Sequence, residues 1–112
     1  MLKNWGLKGF PQGLAAGADA VENATRCYLD FSRSATRHWR GKVSPSFKVR
    51  GLQPQATGHL VVQNSGAGDI TAAFASEMGR TTVTTGSLTV SAGTTGVFQL
   101  FFDGAQLTVA RV

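Results

Sequence analysis

From Arg80 to Val112 the chain reads RTTVTTGSLTVSAGTTGVFQLFFDGAQLTVARV, with Val, Leu and Phe at alternate positions through much of it. A period of two belongs to a pleated strand with one buried face, and Thr, Val and Phe suit such a surface. The eight threonines and four glycines of this stretch supply polar outward positions and turns. The region from His59 onward therefore predicts a meander of short strands: His59–Gln63, Ile70–Ser76, Thr81–Thr85, Ser87–Ala92, Val97–Phe102 and Ala105–Val112. Between them lie NSGAGD, EMGR, Gly86, GTTG and Asp103-Gly104. Asp-Gly between alternating apolar runs predicts a two-residue hairpin with positive φ at both turn residues. In the last run Leu107, Val109 and Arg111 share one side and Thr108, Ala110 and Val112 the other, which leaves the strand open to cover on both sides. Six or more strands with turn signals this close predict an all-β chain, an antiparallel β-sandwich or small barrel.

The first half is less regular. Residues 1–13 hold Trp5, Leu7 and Phe10 among lysines and glycines with neither a helical nor a strand period, and are expected to form an extended arm. Residues 14–24 (LAAGADAVENA) are the one stretch of helix formers, so at most one short helix is predicted, or a loop. Thr25–Ser32 alternates, with Thr25, Cys27, Leu29 and Phe31 on one side, and is read as a strand in preference to a continuing helix. In RSATRHWRGKVSPSFKVR, residues 33–50, Gly41, Ser44 and Pro45 mark a turn, and Phe47 and Val49 alternate with Lys48 and Arg50. GLQPQATG, residues 51–58, is a linker centred on Pro54. At 112 residues this is one domain, 14–112, behind the arm, with a basic first part (14–50) and a low-charge strand region (57–112).

Charge divides the chain the same way. Residues 1–50 carry nine of the eleven basic side chains against three acids, whereas 51–112 hold Arg80 and Arg111 against Asp69, Glu77 and Asp103. The charged fraction is 15%, below the usual quarter, so cover by partner subunits is expected for part of the surface. Basic groups interleaved with Trp39 and Phe47 are also what neutralises phosphates and stacks on bases. No recognition helix, aromatic RNA-binding sheet signature or zinc finger can be spelled from these residues, so nucleic acid is the lesser expectation.

Catalytic and metal chemistry are not expected. Cys27 is the only cysteine, which excludes an internal disulfide and paired-cysteine zinc clusters. It alternates with apolar strand positions, as a buried thiol does, rather than facing a cleft beside a histidine. His38 and His59 have no further ligand at suitable spacing. Asp69, Glu77 and Asp103 all fall beside turns, and Gly66-Ala67-Gly68 is a turn because no Lys-Ser/Thr and no helix follow it. No cofactor is implied. No apolar run approaches the ~18 residues of a membrane span, so none is expected. The N-terminus faintly imitates a secretion signal, but Lys8, Pro11, Gln12 and the glycines break its apolar run, and synthesis in the cytoplasm of a host cell is expected.

The strands TTVTTGSLTVSAGTTG, closed by FFDGAQLTV and preceded by a Gly-rich basic arm, resemble small virion structural proteins of tailed bacteriophages: head decoration proteins and attachment domains of tail or fibre components. The resemblance covers residues 57–112. It implies a non-enzymatic β-rich subunit of a virus particle that forms homo-oligomers and binds other virion proteins, stabilising a capsid or tail. No functional residue is carried over from the resemblance; from the arm's aromatics and the basic segment themselves, partner-binding residues are expected at Trp5 and Phe10 and at Arg33, Arg37, Trp39, Arg40 and Lys42. The alternatives are a nucleic-acid-binding module built on residues 33–50 and a carbohydrate-binding attachment domain using Trp39 or Tyr28.

Overall fold

The computed structural model describes residues 26–78 and 81–112, together with the backbone of Lys3–Asn4 and Gly6–Leu7. Apart from that backbone, the expected 1–13 arm and the 14–24 segment lie outside the described residues. The strands are β1 (Lys3–Asn4), β2 (Gly6–Leu7), β3 (Arg26–Asp30), β4 (Thr36–Gly41), β5 (Ser46–Arg50), β6 (Ala56–Asn64), β7 (Ile70–Thr71), β8 (Ala73–Ser76), β9 (Thr81–Thr85), β10 (Thr89–Val90), β11 (Thr95–Phe102) and β12 (Gln106–Arg111). The chain is all-β, with no helix among the described residues.

Two sheets share one core. The smaller runs β3-β5-β8 and the larger β4-β6-β11-β12-β9, while β7 and β10 form a short antiparallel pair. From β3 to β8 the chain alternates between the two sheets, and within each sheet the incoming strand lies parallel to the one before it. Arg26 faces Ser46, 20 residues on; Thr36 faces His59, 23 on; Ser46 faces Ala73, 27 on. Parallel neighbours need a crossover of a dozen or more residues, usually a helix. Here the crossover from β3 to β5 contains β4, a strand of the facing sheet, so the chain winds as the rungs of a short β-solenoid. The larger sheet is completed by β11, antiparallel to both β6 and β12, and by β9, parallel to β12.

This winding corrects the expectation of an antiparallel sandwich or barrel. The period of two reports which face of a strand is buried. It is the same whether the neighbouring strand runs with or against it, so it left the pairing undetermined. The connections carry the difference: those from β3 to β4, β4 to β5 and β5 to β6 take the chain across to the opposite sheet rather than back along the same one. Antiparallel hairpin geometry appears once among the consecutive long strands, at β11–β12. Its loop residues are Gly104 and Ala105, one place later than the Asp103-Gly104 pair expected, because Asp103 N–H donates to Gln106 O (3.2 Å) and closes the ladder there. Gly104 alone of the loop residues takes positive φ (104°), at the first loop position that type II′ turns reserve for Gly.

The core is built by inward alternation from both sheets. Cys27, Leu29, Phe47 and Val49 come from β3 and β5; Trp39, Leu60, Val62, Phe98, Leu100, Leu107 and Val109 from β4, β6, β11 and β12. A run of rings crosses between the sheets. Trp39 meets Phe47 edge-on (centroids 6.0 Å apart), Phe47 stacks on Phe74 (5.4 Å), and Phe74 tilts against Phe98 (5.4 Å). Each such pair contributes about 0.5–1.5 kcal/mol beyond the apolar area it buries. Two polar side chains fasten the connections, Asn64 buried and Arg111 half-buried. Asn64 Nδ2 donates to Gly68 O (2.8 Å) and Val90 O (3.0 Å) while its Oδ1 accepts from Gly66 N–H (2.9 Å). Arg111 points inward from β12 across the Phe98 ring and donates to Ser87 O (3.1 Å) and Thr89 O (2.8 Å), tying the end of the chain to the segment between β9 and β10. On the outer side of β12, Thr108 and Ala110 are half-buried and Val112 is 73% exposed, so the described residues cover that strand on one side only.

Candidate binding surface

The rungs turn an asymmetry of sequence into an asymmetry of shape. Between residues 26 and 50 there are seven cations (Arg26, Arg33, Arg37, Arg40, Lys42, Lys48, Arg50) and one carboxylate, Asp30. All of them lie on β3, β4, β5 and the two turns joining these strands. Among the described residues β3 and β4 are the outermost strands of their respective sheets at one end, and the described part of that end is strongly basic. The later strands form a body with few charges, dominated on the surface by Thr, Ser and Gln.

The expected contact residues separate into two groups. Arg33, in the β3–β4 turn, Arg40, on the outer face of β4, and Lys42, in the β4–β5 turn, are exposed. Arg37 and Trp39 point inward. Trp39 is 1% exposed, the largest fully buried side chain, with its ring over Gly41 and against Phe47. It is therefore a hub of the core and offers no ring to a partner. Arg37 is 9% exposed; burial pulls its pKa below the usual guanidinium value and the nearby Asp30 carboxylate counters this. Guanidinium basicity is high enough that it stays a cation. Trp5 and Phe10 lie outside the described residues.

On the outer face of the smaller sheet the strand registers place side chains in rows: Arg26 beside Ser46 and Ala73, Tyr28 beside Lys48 and Ala75, Asp30 beside Arg50. Arg50 is engaged on two sides. Its guanidinium lies over the Tyr28 ring, 4.0 Å from the centroid, and reaches Glu77 with Nε–Oε1 at 3.3 Å. Both partners of that ion pair are more than a third exposed, so water screens it. Between the first two rows lies an open trough of about 340 Å³, lined by Arg26, Tyr28, Ser46, Lys48 and Ala75 over the backbone of Cys27 and Phe47. Arg26 was missing from every expected contact set, while Tyr28 entered only as a carbohydrate contact and Lys48 only within the 33–50 nucleic-acid alternative. The alternation of RCYLD signals that Arg26 and Tyr28 face away from Cys27, but only the β3–β5 register brings them beside Ser46 and Lys48.

The thiol and the two imidazoles lie on different sheets. Cys27 is buried, and burial pushes its thiol up to about 12, only partly offset by the Trp39 indole N–H nearby. His38 and His59 are exposed on the outer face of the larger sheet, beside Val61 and Thr36 respectively. Among the described residues no three His, Cys, Asp or Glu side chains group as a metal site would need. Asp103 caps its hairpin by accepting from Gln106 N–H (2.7 Å) and Ala105 N–H (2.8 Å), which lowers its pKa. Asp69 does a similar job for Ala92 N–H (3.1 Å). No helix among the described residues is long and apolar enough to cross a membrane.

No family model matches the chain, and neither does any curated protein or solved structure.

Proposed function

We propose that this chain is a non-enzymatic structural subunit of a bacteriophage particle, which adheres through its basic end to acidic surface on neighbouring subunits, copies of itself or other virion proteins, and so stabilises a capsid or tail assembly. The observation that carries the adhesive part of this reading is the crowding of seven cations against one carboxylate onto the first rungs of a stiff two-sheet body. Arg33, Arg40 and Lys42 supply exposed charge at that end, which steers a partner and fixes its register more than it adds raw affinity. The virion assignment rests on the likeness of the Thr/Gly-rich strands to such proteins. Repetition around a ring multiplies contacts that are individually weak. Light scattering at low and at high salt tests this reading. The wild-type chain forms a particle of several chains, and R33E/R40E/K42E shifts the mass towards one chain; a monomer under both conditions overturns self-association.

The nucleic-acid reading draws on the same cations, but the rings it would stack on bases, Trp39 and Phe47, are inside the core. Filter binding of single-stranded DNA separates the two. Each phosphate contact lowers log K by about 0.7 per decade of salt, so tight binding with a steep salt slope transfers the assignment to nucleic acid. The carbohydrate reading loses Trp39 for the same reason, and Arg50 covers one face of Tyr28.

A further inference from the structure

We propose that the trough on the outer face of the β3-β5-β8 sheet is a binding site for a single oxyanion group of the phosphate, sulfate or carboxylate kind. Four side chains stand at its corners. Arg26 and Ser46 are in register on one row, Tyr28 and Lys48 on the next, so the two cations occupy opposite corners, one on β3 and one on β5. Strands in a sheet lie about 4.8 Å apart and rows of one face about 6.6 Å apart. Two long cationic side chains at opposite corners of so small a quadrilateral converge naturally on one anion above its centre. The guanidinium of Arg26 supplies a planar fork for two oxygens, and the Lys48 ammonium a point charge from the other side. The Ser46 hydroxyl is a donor at the third corner, and the Tyr28 ring forms a wall for whatever carries the anionic group.

The neighbourhood keeps that anion position open. Ala75, in register with Lys48, is too small to fill the space beside it. Among the described residues no carboxylate lines the trough. Two acids of the described residues that lie along this face are employed one row further on: Glu77 is ion-paired with Arg50, and Asp30 accepts the Ser32 N–H at 2.9 Å. Arg50 in turn is held over Tyr28, so its charge reinforces the site without entering it.

This site deepens the reading of the basic end as the adhesive surface and rests on that reading for its role, since an anionic group presented by a neighbour is what would enter. The test is an amide NMR titration of the full chain with inorganic phosphate, sulfate and acetate at constant ionic strength, with chloride as the baseline. The expected result is saturable shifts concentrated at residues 26–28, 46–48 and 75, with an affinity at least tenfold weaker in R26Q/K48Q. Both side chains point outward, and the otherwise unchanged spectrum of that variant verifies its fold. Preference for phosphate or sulfate indicates a polyanion backbone as the natural source, and preference for acetate indicates acidic side chains or sugar acids. Linear, unsaturating shifts spread equally over Arg33 and Lys42, or shifts untouched by R26Q/K48Q, overturn the site. A chain that remains monomeric while phosphate saturates the trough overturns self-association and supports the site, so the two proposals fail separately.

Discussion

Replacing Gly41 by alanine tests the claim that Trp39 is the fixed centre of the core. A Cβ on Gly41 would stand 2.5 Å from Trp39 Cη2 and 2.6 Å from Cζ2. Carbon atoms settle at about 3.5–4.0 Å, so the indole must retreat by roughly 1 Å. It has little freedom to do so, being 1% exposed and set edge-on against Phe47. Overpacking of this kind costs about 1–3 kcal/mol. Against it stands the unfolded-state benefit of Gly→Ala, about 0.4–1 kcal/mol. At the midpoints of these two ranges the clash wins by about 1.3 kcal/mol, and for a domain near this size each kcal/mol lowers the melting midpoint by about 4–8 °C. Urea unfolding followed by circular dichroism reads the loss as a lower midpoint at unchanged slope. Gly68→Ala is the control: nothing lies within 4 Å of its Cβ, so only the stabilising term remains. If G41A unfolds with G68A rather than well before it, the packing of Trp39 over Gly41 is wrong.

Four further outcomes follow from named contacts. Arg111→Leu leaves the carbonyls of Ser87 and Thr89 without their donor and lowers stability by about 1–3 kcal/mol, with amide exchange accelerated first between residues 87 and 90. Asn64→Asp replaces a donor facing two carbonyls by an acceptor, and thermal unfolding shows it to be more damaging than Asn64→Ala. Because burial holds the Cys27 pKa above its unfolded value, the stabilisation is complete below about 9 and disappears as pH rises towards 12; Cys27→Ala flattens that alkaline loss, and thiol reagents label the native wild-type chain slowly. Asp103 has the opposite sign: its lowered pKa contributes stability above the ordinary carboxylate range that is lost as pH falls below it, and Asp103→Asn removes this part of the acid response at the β11–β12 hairpin.

Much of the strand content was legible because burial imposes the same alternation on any one-sided strand. Cys27/Leu29, Phe47/Val49 and Leu107/Val109 all stand where their period places them. Arg37 was legible too: Arg37, Trp39 and Gly41 share one parity, and once the indole is inside, so is the guanidinium. Its charge drew it into an exposed basic segment instead. The partners of each strand were another matter. RCYLD and SFKVR alternate identically whether they are neighbours or opposite one another, and nothing local records that Arg26 will meet Ser46 rather than a residue of β4. Ile70–Ser76 reads as one strand, yet Ala72 turns inward and donates its N–H to Leu88 O, dividing it into β7 and β8. That break depends on a segment sixteen residues away, which no window on the sequence contains.

The winding of the rungs underlies both the shared core and the gathering of positive charge at one end. Interstrand nuclear Overhauser contacts in solution test it most directly. Parallel winding predicts backbone contacts between Leu29 and Val49 and between Trp39 and Val62, at registers of 20 and 23 residues, without the close Hα–Hα pairs of antiparallel strands. Hα–Hα contacts between β3 and β4, as in a simple meander, would contradict the winding and disperse the basic end with it.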